Sequence, residues 1–332
     1  MHTDPSGPSR ATGKRWIAAG MLAFAALAAV PAQAQMPARF YWKSLSGGNA
    51  VPLLVESMSG NTNPFDPSMV RQGNGNLDGT IAIAGYARTF SLFDRSAMAA
   101  IILPMGRVSG EVSVGGLTQT QSANGFSDPM FEFNINLIGP KAQKTIPDAL
   151  RYEPGFSVDL LMDLAVPIGK YDSAKQLNMG QNRWYGRIGL PVVWQLGPWI
   201  PGKRTTLELL PAVWIFGDNT DFGGQRLETD PIYQIDAHLT RDITPSLWAG
   251  IDATYYGGGG STINGISSPN LDNFGVGGTI GYVINHNLSM TFGYKTTVND
   301  SAAGDLRFDR FMLTLVYGWH PVVEGSRRLQ SE

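Results

Sequence analysis

A few residues have types and spacings that could do chemistry. The stretch 125–129, G-F-S-D-P, begins like a nucleophile elbow, where a serine on a sharp strand-to-helix turn attacks an acyl carbon. That motif needs a second glycine two residues after the serine, for close backbone approach. Here the position is Pro129, and a strand-like alternation follows rather than a helix. Ser127 therefore reads as a turn residue. The stretch 197–204, G-P-W-I-P-G-K-R, has the Gly and Lys spacing of a phosphate loop. Pro198 and Pro201 remove N–H donors that would cradle a phosphate, and Arg204 stands where a magnesium-binding hydroxyl belongs. A tight turn is expected instead. Y-Y-G-G-G-G-S-T at 255–262 has no β-α-β context and reads as a loop.

Of the 4 histidines, His238 alone is expected inside the fold. One histidine with Asp236 on the same face cannot make a multi-histidine zinc site. A hydrolase centred on His238 is an alternative reading, although no serine singles itself out as its partner. The remaining candidates are charges within otherwise apolar stretches. Residues 154–168 place Phe156, Val158, Leu160, Met162 and Leu164 on one face, with Ser157, Asp159 and Asp163 on the other. Carboxylates are costly in a dry core and cheap on a face that sees water.

The elements that must position these groups are strands. Alternating segments fall at 51–58, 79–90, 97–106, 126–139, 154–168, 184–196, 205–215, 233–241, 247–256, 274–284, 288–295 and 307–319. Many have the ~10-residue length of a tilted strand crossing a bilayer. Twelve is an even number, as in single-chain bacterial barrels. Connections alternate long and short, the long ones being 59–78, 107–125, 169–182, 217–230, 257–271 and 299–306. Composition agrees. Charged residues are 16 % of the chain, glycines number 40, and mean hydropathy is only −0.08. Lipid-facing and water-facing residues cancel in such an average. The expected fold is an all-β, transmembrane, up-and-down antiparallel β-barrel of about 12 strands, of bacterial outer-membrane type. Trp184, Trp194, Trp199, Trp214, Trp248 and Trp319 fall near strand ends, as interfacial girdles do.

At the N-terminus, Lys14 and Arg15 precede an apolar run from Trp16 to Val30 and a small-residue site, Ala32-Gln33-Ala34. A secretory signal peptide over 1–34 is expected to be cleaved before Gln35; the run, about 15 residues, falls short of the ~20 of a spanning helix. Residues 35–50 form an N-terminal periplasmic or lumen segment, 51–320 the barrel, and 321–332 a C-terminal tail. The 0 cysteines exclude disulfides and thiolate chemistry, and a net charge of −2 gives no case for nucleic acid.

Alternation turns Glu132, Asn134, Asn136, Asp159, Asp163, Tyr185, Arg187, Glu208, Asp236, His238, Asp252, Lys295 and Arg310 into the lumen. Opposite charges there either tie strands together or set selectivity along a solute path. Inward Tyr185, Trp214, Trp248 and Tyr256 are either a stacking path for ring solutes or girdle and filler.

The motifs at Gly125 to Pro129, Pro167 to Asp172 and Asn178 to Trp184 resemble those of the outer-membrane barrel family named for the meta-pathway of phenol degradation, also described as transporters. In that family a G-x-G-D-P turn opens a strand; here Ser127 replaces the second glycine. The resemblance covers most of residues 40–320. It implies a monomeric barrel, not an enzyme, with no cofactor or metal, linked to passive uptake of small apolar or aromatic molecules through the lumen or laterally. Partners would be outer-membrane lipid, lipopolysaccharide, the barrel-assembly machinery and the solute. An even strand count would leave both termini periplasmic. Tyr171 and Trp184 are expected at headgroup level, with Arg183 meeting lipopolysaccharide phosphates or a loop carboxylate. A plugged structural or binding barrel is a further alternative.

Overall fold

A computed structural model of the chain describes residues 37–71, 75–114, 117–299 and 305–325. The expected leader, 1–34, lies outside the described residues, as does 326–332 of the expected tail. The strands are β1 (Asn49–Gly60), β2 (Leu77–Leu92), β3 (Arg95–Val114), β4 (Leu117–Phe126), β5 (Met130–Ile138), β6 (Phe156–Ala165), β7 (Tyr185–Gly189), β8 (Val192–Gln195), β9 (Thr205–Phe216), β10 (Asn219–Phe222), β11 (Gln225–Thr229), β12 (Ile232–Asp242), β13 (Leu247–Gly258), β14 (Ser261–Ile263), β15 (Ile266–Ser267), β16 (Leu271–Val283), β17 (Leu288–Thr297) and β18 (Phe308–Trp319). The short helix α1 (Ile146–Leu150) lies between β5 and β6.

Every barrel pairing is antiparallel, and β18 closes on β1 from Asn49↔Trp319 to Gly60↔Phe308. Closure leaves no edge, as a bilayer requires of a sheet. β7 and β8 are one barrel strand: Leu161↔Gly189 and Val158↔Val192 keep one register across Pro191. β4 and β5 likewise form one strand, so the closed barrel has 12 strands. The remaining short strands β10, β11, β14 and β15 make a separate 4-stranded sheet in the long connections.

The polarity is inverted relative to a soluble protein. Leu53, Val55, Phe131, Ile188, Ile235, Ile251 and Ile280 are exposed, while Glu56, Glu132, Arg187, Asp236 and Asp252 are buried. A lipid-facing outer surface explains the first group and a lumen the second.

Two expectations need correction. Residues 107–125 are not a loop. β3 runs on to Val114 and pairs with β4, from Met105↔Phe126 to Val114↔Leu117. Between Ile102 and Met105 on β3, the neighbouring strand advances from Met130 to Phe126, one residue more. This extra residue is a bulge at Ser127–Pro129, and it inverts parity. Phe126 and Phe131 consequently both face out. The alternation beginning at 131 is real, but its phase does not extend back through 126. The second correction concerns the girdle: Trp214 and Trp248 are buried and turned inward, as the inward alternative for them has it, whereas Trp184 and Trp194 are exposed.

The short turns share one rim with the start of β1 and the end of β18, where Asn49 meets Trp319. The other rim carries the long loops. Residues 61–71 fold back there. Phe65 joins Leu77, Ile81, Val108, Val112, Leu177 and Met179, and Met69 joins Tyr185, Trp214, Ile232, Tyr256 and Phe308. Two apolar clusters therefore cap the lumen under the loops.

Candidate functional site: the barrel lumen

All the inward candidates are buried: Glu132, Asn134, Asn136, Asp159, Asp163, Tyr185, Arg187, Glu208, Asp236, His238, Asp252, Lys295 and Arg310. They divide into connected groups. Register sets Glu132, Asp163, Arg187 and Trp214 side by side across β5, β6, β7 and β9. Arg187 Nε donates to Asp163 Oδ2 at 2.6 Å, and its guanidinium sits 4.9 Å from the Trp214 ring centre. Trp214 Nε1 donates to Gln234 Oε1 at 2.6 Å. Gln234 Nε2 and Thr254 Oγ1 then donate to the two oxygens of Asp236, at 2.6 and 2.8 Å.

A second group lies across β12, β13 and β16. His238 Nδ1 is 2.5 Å from Asp252 Oδ1, and Thr279 Oγ1 donates to Asp252 Oδ2 at 2.5 Å. The Thr279 hydroxyl is thus engaged by the acid, not held by the histidine as a nucleophile would be. His238 pairs with Asp252, not with the Asp236 of its own strand. Arg310 Nη2 meets Glu56 at 2.6 Å, tying β18 to β1. No group of three or more metal-ligating side chains occurs among the described residues.

The remaining acids are satisfied from an unexpected source. Residues 37–48 enter the lumen from the short-turn rim. Arg39 donates from its backbone N to Glu208 at 2.8 Å, from Nε to Thr240 at 2.9 Å, and from Nη1 to Asp242 at 2.6 Å. Trp42 Nε1 donates to the other Glu208 oxygen at 2.9 Å, and Lys43 binds Asp159. Asp159 also accepts from Asn136 at 2.9 Å. Tyr41 packs on Leu161, Val193, Leu210 and Ala212. Trp42 packs against Trp199 with tilted rings, their centres 4.6 Å apart, and Arg39 lies over both Trp42 and Trp248, at 4.3 and 4.4 Å. Sequence reasoning missed Arg39, Trp42 and Lys43 because a segment without strand periodicity carries no face. The available signal was the mixture of aromatic and basic residues in A-R-F-Y-W-K. Glu56 was missed on a recognised strand, although Leu53 and Val55 on the opposite parity marked its face.

Beside this plugged region a cavity of ≈ 830 Å³ remains. It touches Asn287, His320 and Glu324 at the short-turn rim, and Phe65, Met69 and Tyr185 beneath the loops. Its β1–β3 wall is apolar: Leu54, Ile81, Ile83, Met98, Ala100 and Ile102.

The motif residues come together above the lumen. Ser127 Oγ donates to the Met179 carbonyl at 2.7 Å. Asp128 accepts from Gly169 N at 2.8 Å and from Gln181 N at 2.7 Å. A Cβ on Gly169 would lie 2.7 Å from the 127–128 backbone, so glycine is required by the close approach. Asp172 N donates to Asn178 Oδ1 at 2.7 Å. Arg183 is buried, 3.6 Å from Asp66, so it meets a loop carboxylate and does not present itself to lipid phosphates. Tyr171 donates to the Asp221 carbonyl at 2.7 Å, clamping neighbouring loops. These motifs build the cap rather than a reactive centre.

Comparison with known proteins agrees with this architecture. A family model described as "Putative MetA-pathway of phenol degradation" matches residues 46–315. The crystal structure of an outer membrane channel from Pseudomonas putida F1 superposes with a TM-score of 0.68 at 17 % identity, covering 86 % of this chain and 100 % of that one. The transport unit of the autotransporter AIDA-I from Escherichia coli gives 0.44 at 11 % identity, covering 85 % and 93 %. The Pseudomonas putida toluene transporter TodX gives 0.40 at 9 %, covering 87 % and 94 %. The last two scores are too low to bear on function. No curated protein matches the sequence.

Proposed function

The chain belongs to the family described as the MetA-pathway of phenol degradation, whose fold here is that of bacterial outer-membrane barrels, and we propose that it gives passive passage to small apolar or aromatic molecules. The observation that carries this reading is the cavity. An opening of ≈ 830 Å³ is of the size that takes a small organic molecule. Its apolar wall offers such a solute an environment that a hydrated sugar or ion would enter only by losing water. The polar wall is occupied by residues 37–48, so a wide aqueous pore of the porin kind is not left.

The reading places the short-turn rim and both termini in the periplasm and the long loops outside, following the usual asymmetry of such barrels. A solute would pass the cap of Phe65 and Met69, descend the β1–β3 wall, and leave beside residues 44–49. The caps and the plug are held by side-chain contacts, so passage calls for displacement of Phe65 or Met69 rather than for chemistry.

The test is uptake of labelled toluene and phenol by vesicles of outer-membrane lipid carrying the refolded, full-length barrel. Uptake faster than in protein-free vesicles, with no matching gain for a sugar of similar volume, is expected. A folded barrel that accelerates neither aromatic would end the proposal.

A further inference from the structure

We propose that Glu132, with Asp163 beside it, is the recognition point in the lumen for a solute with an apolar body and a hydrogen-bond-donating head, an ammonium or a hydroxyl. This rests on the channel reading above and names the class of solute that the same cavity selects.

Glu132 is 3 % exposed; its carboxyl lies within hydrogen-bond reach of the Asp163 carboxyl, and no N–H or hydroxyl group donates to either of its oxygens. Asp163 lies directly across from it, and no N–H or hydroxyl group donates to Asp163 Oδ1. The guanidinium in this row, Arg187, gives its Nε to Asp163 Oδ2 and lies against the face of Trp214. Two adjacent buried carboxyls thus share one fixed positive group. Buried carboxyl acceptors short of donors are costly, more so when charged, so such an arrangement calls for a donor from elsewhere. Neighbouring strands do not provide it. On β3 the residue opposite Glu132 is Ala100. Tyr41 brings a phenolic hydroxyl to the neighbourhood, but that hydroxyl also is buried without a partner.

Glu132 also lines the large cavity. Ala100 is small, so the carboxyl is open toward the apolar wall rather than covered. Met98, Ile102 and Met130 line the same space. A donor head at Glu132 would therefore leave its apolar body against these side chains. An ammonium supplies both a donor and the missing positive charge, a hydroxyl only the donor, and a carboxylate head is repelled. The other charged lumen pairs, Arg310 with Glu56 and Lys43 with Asp159, are already closed on themselves.

The experiment is isothermal titration of the full-length barrel in lipid nanodiscs, with empty nanodiscs subtracted, using toluene, benzyl alcohol, benzylamine and benzoate. Wild type is expected to bind benzylamine roughly 10-fold or more tighter than toluene, benzyl alcohol between them, and benzoate weakest; tenfold corresponds to about 1.4 kcal/mol. Glu132→Gln should remove the benzylamine preference and keep part of that for benzyl alcohol. Glu132→Leu should remove both and leave toluene unchanged. Thermal melts of both variants establish that they are folded. Preferences that survive Glu132→Leu, or a wild type that binds toluene and the donor heads equally, overturn this inference and leave the channel reading standing. A folded barrel that binds none of the four overturns both.

Discussion

On the β5–β13 side of the lumen, carboxylates, an arginine and a histidine are interlocked, and Arg39, Trp42 and Lys43 complete the network from a segment outside the sheet. On the β1–β3 side, Leu54, Ile81, Ile83, Met98 and Ile102 face open space. The same fold thus carries two kinds of wall. The polar one is filled because buried charges need partners with defined geometry. The apolar one can stay open because its aliphatic side chains demand no hydrogen-bond partners. The difference teaches that solute space in this barrel is left where the chain has least need to fill it.

The largest effect is expected from stripping the plug of its charges. In the double variant Arg39→Met, Lys43→Met, Asp159 loses its lysine and Asp242 one of its two arginines, while Glu208 keeps the backbone N–H of residue 39; leaving a buried charge unpaired costs about 3–5 kcal/mol. Urea unfolding from lipid vesicles should show a loss of that order, and planar-bilayer recordings a several-fold rise in ion conductance. Unchanged conductance would mean that the segment does not limit the aqueous path. Next is Gly281→Ala. A Cβ there would come within 2.0 Å of the Trp248 ring, on which Arg39 also lies. Overpacking of this kind costs about 1–3 kcal/mol, measurable as a lower midpoint in the same titration. A smaller change in stability, about 1 kcal/mol or less, is expected of Ile83→Asn, since the side chain faces the cavity. Its signature is functional: slower toluene uptake at near-wild-type stability. If Ile83→Asn instead unfolds the barrel, the apolar wall is a packed core and the contrast between the walls fails.

The smallest effect lies outside both walls. In the β2–β3 turn, the hydrogen bond and charge of Lys144, helped by Lys141, hold the Asp94 carboxyl below its ordinary value of 3.8. A depressed folded value means that the contribution is present above the ordinary value and fades as pH falls through the folded one. Asp94→Asn should lower the melting temperature slightly near neutrality and not at all in strong acid. A gap between the melting curves that persists at the lowest pH would contradict this assignment.

Much of the barrel was legible because period 2 survives inversion of polarity. Leu53, Phe131 and Ile188 alternate with Glu56, Glu132 and Arg187 whether the apolar side meets lipid or core. The bulge at Ser127–Pro129 was not, since an inserted residue shifts parity without changing residue types. The lumen residues could be named from alternation, but their partners could not. Asp252 was separable from Asp236 as the acid beside His238 only once β13 was set in register against β12 and β16. Trp214 and Trp248 admit both a girdle and an inward reading in sequence, where proximity to a strand end and parity are each visible, and their burial decides for the inward one.

The sequence by itself determined which side chains share a face, because in a strand that follows from covalent geometry, one residue to each side in turn. It also determined that charge would lie inside, since carboxylates spaced through apolar runs tolerate no lipid. Tertiary structure alone decided which charges close on one another and which are left open. That choice depends on register between strands far apart in the chain and on residues 37–48 folding back into the lumen. It is this closure that satisfies Asp159 and Glu208 and leaves Glu132 facing the cavity.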